Sequence, residues 1–100
     1  MKLTKILAIP FATLIIDNNK LIEGASLAAV CHVENAKPTV SEFIWKLDFE
    51  ILEEQSAYLS IDDLPRDYNG RTLSCTAINA AGNDTEEITM NVLCKFLTMM

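Results

Sequence analysis

Apolar and polar residues alternate with a period of two along most of this chain, the signature of strands that turn one face to a core. From Leu27 the odd positions Leu27, Ala29, Cys31 and Val33 form an apolar face, with Ala28, Val30 and His32 on the other. Phe43, Trp45 and Leu47 repeat the pattern against Ile44, Lys46 and Asp48, and Leu59 and Ile61 repeat it again after Tyr58. Leu73, Cys75 and Ala77 then face in while Thr72, Ser74, Thr76 and Ile78 face out, and a last strand sets Ile88, Met90 and Val92 against Thr89, Asn91 and Leu93. By this parity Ile44, Ile78 and Leu93 are expected on the surface.

Turn chemistry punctuates these runs at Asp17-Asn18-Asn19-Lys20, Glu23-Gly24, Asn35-Ala36-Lys37-Pro38 and Asn79-Ala80-Ala81-Gly82-Asn83-Asp84. The stretch from Leu64 to Gly70 is turn-rich, and Asn69-Gly70 is the strongest local turn signal in the chain. No window sustains a capped helical period, although Asp48 to Tyr58 fits neither pattern. About seven short strands at roughly 8–12-residue spacing predict an all-β fold, a two-sheet antiparallel sandwich.

The N-terminus supports two readings. Met1 to Lys5 is short and basic and Ile6 to Ile16 is almost wholly apolar, which is similar to a secretory leader. Pro10 interrupts that run, and no small-x-small site follows before Asp17. The other reading makes Phe11 to Ile16 the first strand, with Pro10 at its start, where a missing donor is harmless.

The chain has 100 residues, a length that suits one domain. A domain of this size has a thin core, so a covalent staple would matter. Eight basic against 14 acidic side chains, a net charge of −6, argue against partners recognised by their phosphates, such as nucleic acid or anionic membrane. Seven carboxylates crowd between Asp48 and Asp67, with Arg66 as the one balancing cation in that stretch. They read as a solvated edge; as neighbours on an extended chain, Asp62 and Asp63 diverge and make a poor calcium site.

Cys31 and Cys75 sit on inward faces of two strands 44 positions apart, with Trp45 inward on a strand between them. Around them stand Glu23-Gly24 seven residues before Cys31, Phe-x-Trp at Phe43 and Trp45, Leu-x-Ile at Leu59 and Ile61, and the run from Asn69 through Cys75 to Asn79. In this order the sequence resembles the immunoglobulin superfamily across roughly residues 10–93. The resemblance implies a seven-stranded sandwich with Greek-key connections, in which a Cys31–Cys75 disulfide packs against Trp45. It also favours Phe11 to Ile16 as the first strand, because Pro10 falls where such a strand opens. Residues 1–9 are then an N-terminal extension or a weak leader-like segment, and 94–100 a tail or linker. The alternative is that both cysteines are free and buried in a reducing cell. Closing a loop of this length would contribute about 4 kcal/mol on a chain-entropy argument.

One position departs from the family pattern. Many such domains carry a tyrosine two residues before the second cysteine, and here Leu73 stands there. The corner is therefore expected to rest on apolar packing and on Asn69-Gly70. This feature is similar to domains of nephrin-like adhesion receptors, and the short gap from Trp45 to Leu59 favours an intermediate or constant-like set.

Other candidates for chemistry are sparse. Cys94 is left as a free thiol, a small apolar residue or an intermolecular partner. A redox role for it lacks a nearby base or resolving cysteine. His32 points away from Cys31, so no metal site is expected. There is no Gly-x-Ser-x-Gly elbow and no phosphate-cradling glycine loop. Asn83-Asp84-Thr85 is an N-glycosylation sequon.

The resemblance implies a non-catalytic extracellular or cell-surface module without cofactors, recognising protein partners in adhesion or receptor binding. Those partners are expected among other immunoglobulin-like surface proteins. A spacer within a longer chain, or a small secreted host-defence protein, is the competing reading. Small-molecule substrates and nucleic acid are not expected, and membrane attachment only through a longer parent chain.

Overall fold

The structure, a computed structural model, describes residues 7–16 and 21–94. Nine strands account for its regular structure: β1 (Phe11–Ile16), β2 (Leu21–Ile22), β3 (Leu27–Glu34), β4 (Glu42–Leu47), β5 (Glu50–Ile51), β6 (Tyr58–Ile61), β7 (Thr72–Asn79), β8 (Gly82–Thr89) and β9 (Val92–Leu93). A single 3-10 turn, Arg66–Tyr68, lies between β6 and β7.

One sheet has the order β1-β3-β6 and the other β5-β4-β7-β8, each antiparallel. The chain passes from one sheet to the other between β3 and β4, returns between β5 and β6, and crosses again between β6 and β7, which gives the all-β sandwich expected from the sequence. Past Thr89 the chain still exchanges backbone bonds through Met90 with Gly70 and Arg71, at 2.8 and 2.9 Å. It then pairs β9 parallel to β2, Leu21 opposite Val92.

The alternation follows from burial. On β7 every second side chain, Leu73, Cys75, Ala77 and Asn79, is buried, and on β3 Leu27, Ala29 and Cys31 are. Trp45 and Leu47 from β4, Leu59 from β6 and Ala12 from β1 complete the layer between the sheets. Leu21, Leu64, Met90 and Val92 are buried with them. Removing a leucine-sized side chain from water contributes about 1.5–3 kcal/mol, so this set supplies the main favourable term.

Three expectations are corrected. Ile88 stands opposite Leu73 across the ladder, so its parity is inward, yet β8 is an edge strand and Ile88 remains 38% exposed. Ile44, Ile78 and Leu93 are half-buried rather than exposed, because cross-strand neighbours on the sheet surface cover part of each. The turn expected over Asn79–Asp84 is tighter: β7 runs through Asn79 and β8 begins at Gly82, leaving Ala80 and Ala81 as its tip. Asn83 is therefore a strand residue.

At the N-terminus, backbone bonds between Ala8 and Lys37 at 2.9 and 3.0 Å carry the ordered fold two residues ahead of Pro10. The polar turn expected at 17–20, most of the leader-like segment and the tail beyond Cys94 lie outside the described residues.

Candidate functional site

At the centre, Cys31 of β3 and Cys75 of β7 form a disulfide across the two sheets, with Cα atoms 6.2 Å apart. Both are buried because alternate residues of both strands point between the sheets. Trp45, the cross-strand neighbour of Cys75, has no solvent exposure. Its indole Nε1 donates to the carbonyl of Ser56 at 2.8 Å, which satisfies the one polar atom of an otherwise apolar side chain. A covalent link between layers and a hydrogen-bonded indole fix the sheets relative to each other. This arrangement is a scaffold.

The corner before β7 has leucine, not tyrosine, two residues before Cys75, and Tyr68 of the preceding 3-10 turn packs partly buried against the core. Leu73 is fully buried, and Leu64 exchanges backbone bonds with Gly24 and Ala25 at 2.8 and 2.9 Å. Asn69 Oδ1 accepts the amide of Val92 at 2.8 Å, so the Asn69 side chain holds the end of β9. Gly70 has φ +84, a left-handed conformation that suits glycine.

The same end of the molecule carries the β4–β5 hairpin, whose two-residue tip is Asp48-Phe49. Asp48 has φ +55, and its carboxylate holds the tip in place: Oδ1 accepts the amide of Thr72 at 2.9 Å and Oδ2 accepts Nε of Arg71 at 2.8 Å. The Thr72 amide, followed by Arg71, holds the Asp48 carboxyl below its ordinary value, and the Asp48 bond raises Arg71 in turn. Arg71 also lies over the ring of Tyr68, 5.3 Å from its centroid. Phe49 projects from this clamped turn 98% exposed, and Ile51 beside it is 65% exposed.

Other expected residues are spread over the surface. Asn83 is exposed on β8, and the Thr85 hydroxyl of its sequon meets the Thr76 hydroxyl at 2.7 Å. Cys94 is half-buried and borders a hollow of about 300 Å³ with Arg66, Asn69 and Asn91. His32 is exposed and faces Glu34 at 3.4 Å. Asp62 accepts from Ser26 at 3.4 Å. Among the described residues, no set of three His, Cys, Asp or Glu side chains converges as metal ligands.

No protein-family model matches the sequence, and no curated protein does either. Solved structures do match. The amphioxus IgVJ-C2 molecule superposes with a TM-score of 0.70 at 27% identity over 84% of this chain and 44% of that one. The chain is an immunoglobulin-like domain. The N-terminal four Ig domains of Dscam1 isoform 4.44 match with a TM-score of 0.72 at 14% identity, covering 86% of this chain and 21% of that one. The mouse nectin-like molecule 4 ectodomain matches at 0.69 and 16%, covering 83% and 33%. At those last two identities the likeness is one of fold, and this immunoglobulin-like domain spans less than half of each of these three chains.

Two features of the domain escaped the sequence reading. The first is the clamped Phe49 tip, since Asp48-Phe49 has none of the usual turn residues at its centre except an aspartate. The second is the reach of Asn79, whose buried amide donates to the carbonyls of both Ala8 and Pro38 at 2.8 Å. An asparagine continuing an apolar inward set was the only signal for it.

Proposed function

We propose that this immunoglobulin-like domain is a non-catalytic extracellular recognition module that binds protein partners in cell adhesion or receptor recognition. The observation that carries the proposal is a scaffold cross-linked by Cys31–Cys75 that exposes large apolar side chains on its surface, Phe49 foremost. A disulfide fits an oxidising compartment, consistent with secretion or the cell surface. Structural neighbours with four Ig domains, or described as a full ectodomain, add support for an adhesion setting.

The test is binding of fluorescent streptavidin tetramers of the folded domain to a panel of cell lines. Saturable staining that is lost after surface proteolysis of the cells supports the reading. Staining no greater than that of a reduced, unfolded control on every line overturns it. A second reading, a spacer within a longer chain, draws on the fact that the domain spans less than half of the amphioxus, Dscam1 and nectin-like chains it matches. It forecasts no staining by the isolated domain, with staining restored only when neighbouring domains of the parent chain are present.

A further inference from the structure

The outer face of β7 carries one residue out of keeping with the rest. Thr72, Ser74 and Thr76 are polar, as suits a solvent-facing row, but the row ends in Ile78, an isoleucine that is only half-buried. Its cross-strand neighbour on β8 is Asn83, the acceptor of the glycosylation sequon. Ile78 gives its carbonyl to the amide of Ser41 on the β4 side, at 2.9 Å. Ile78 and Asn83 are therefore a non-hydrogen-bonded pair, the kind that brings opposed side chains closest, with Cα atoms about 4.5 Å apart. In the next row on the same face Thr76 stands opposite Thr85, their hydroxyls 2.7 Å apart. These four residues carry no charge, and the next outward residue of β8 after Thr85 is Glu87, roughly 13 Å along the strand from Asn83.

We infer that a glycan on Asn83 is seated on this face, with the ring of its first N-acetylglucosamine lying across Ile78 and the Thr76–Thr85 pair. Oligosaccharyl transfer joins Asn83 Nδ2 to the anomeric carbon of that sugar; the carbon's bond to the diphosphate of a lipid-linked donor breaks, and the amide gives up a proton. The sugar ring is uncharged, with an apolar C–H side and a rim of hydroxyls, which matches an isoleucine beside two threonine hydroxyls. Laying the C–H side on Ile78 removes apolar area of both from water, while the other side of the ring and the rest of the glycan meet solvent. No second molecule has to be recruited to cover Ile78, because the covering group is tethered to the side chain next to it, where its effective concentration is high.

This inference rests on the extracellular placement proposed above, and the experiment separates the two. The chain is expressed behind a secretory leader in eukaryotic cells, and its glycan is trimmed with an endoglycosidase that leaves one N-acetylglucosamine. Urea unfolding then compares this product with Asn83→Gln, each in the wild-type, Ile78→Thr, Ile78→Ser and Ile15→Thr backgrounds, Ile15 lying on the outer face of the other sheet. The single sugar is expected to reduce the unfolding equilibrium constant at least about threefold in the wild type and in Ile15→Thr, and to lose that effect in both Ile78 variants. NMR of the trimmed, isotope-labelled wild type, which depends on no substitution at Ile78, should show cross-peaks between the Ile78 methyl groups and the sugar ring protons.

A glycan that is attached but gives no such cross-peaks, or that stabilises the Ile78 variants as much as the wild type, overturns the seat and leaves the recognition reading standing. A secreted product with an unmodified Asn83 overturns the seat as well. Absence of cell staining by the tetramer bears on recognition alone: it overturns that reading while the cross-peaks still support the seat.

Discussion

The side-chain amide of Asn79, at the end of β7, donates to the backbone carbonyl of Ala8 at 2.8 Å, 71 residues earlier in the chain. The same nitrogen donates to Pro38 at 2.8 Å, and Oδ1 accepts the amides of Ala81 and Gly82 at 2.9 and 3.1 Å. Asn79 is only 5% exposed, so each of these bonds replaces one that water cannot supply. One residue thereby joins the segment before β1, the β3–β4 loop and the β7–β8 turn.

Replacing it with alanine should cost about 2–4 kcal/mol, since the buried partners are left unpaired as well as the bonds lost. Asn79→Asp should do no better, because a carboxylate cannot donate to two carbonyls and would be buried without a cation. Urea unfolding of the three proteins measures this, and a loss below about 0.5 kcal/mol would show the clamp to be dispensable.

The disulfide gives a second prediction. Unreduced, denatured protein should titrate one thiol, that of Cys94, and three after reduction; three before reduction would mean that Cys31 and Cys75 are not joined. Changing Cys31 and Cys75 together to alanine should lower stability by about 2–5 kcal/mol. Domains of this size are stable by only about 5–15 kcal/mol, so the doubly substituted protein is expected to be partly unfolded near body temperature.

Much of the fold was legible because β3, β4 and β7 are covered on their inner faces and therefore keep a strict alternation. β8 was less legible: at an edge, even Ile88 on its inner side stays exposed, and the strand reads as acidic and polar from Asn83 to Glu87. The β2–β9 pairing was not legible, since a two-residue strand is too short to show an alternation even though Leu21 and Val92 are both buried. For the surface, the sequence offered Ile44, Ile78 and Leu93 by parity, whereas the exposed large apolar residues include Phe49 and Ile51 at the β4–β5 tip, Tyr58, and Phe11 and Ile15 of β1. Exposure of Phe49 comes from a hairpin tip outside the alternation, and the Asp48 contact that holds it spans 23 residues to Arg71.

That contact predicts a pH dependence. The Thr72 amide and then Arg71 depress the Asp48 carboxyl below its ordinary 3.8, and the hydroxyl and amide of Ser56 depress Glu54 below its ordinary 4.5. A depressed carboxyl stabilises the fold above its unfolded value and loses that contribution as pH falls through its folded value. The urea midpoint should therefore decline below about pH 4.5, and Asp48→Asn should make the decline shallower while lowering the midpoint slightly at pH 7. An unchanged acid profile in Asp48→Asn would show that the clamp is not formed in solution.

The last prediction concerns Asn83. Its side chain is exposed on an edge strand, on the outer side of the sheet that bears Thr76 and Thr85, so an added glycan meets solvent rather than the core. Asp84, the middle residue of the sequon, alternates to the other side and accepts the amide of Ala12 at 2.8 Å, fixing β8 against β1. When the chain is fused to a secretory leader and expressed in eukaryotic cells, the product should show a glycosidase-sensitive mass shift. Asn83→Gln and Thr85→Ala should each abolish it, because both are needed for the sequon. Asn83→Gln should leave the urea midpoint of unglycosylated protein within about 0.5 kcal/mol of wild type, as expected of an exposed strand position. A secreted product whose mobility does not respond to the enzyme would mean that this site is not used.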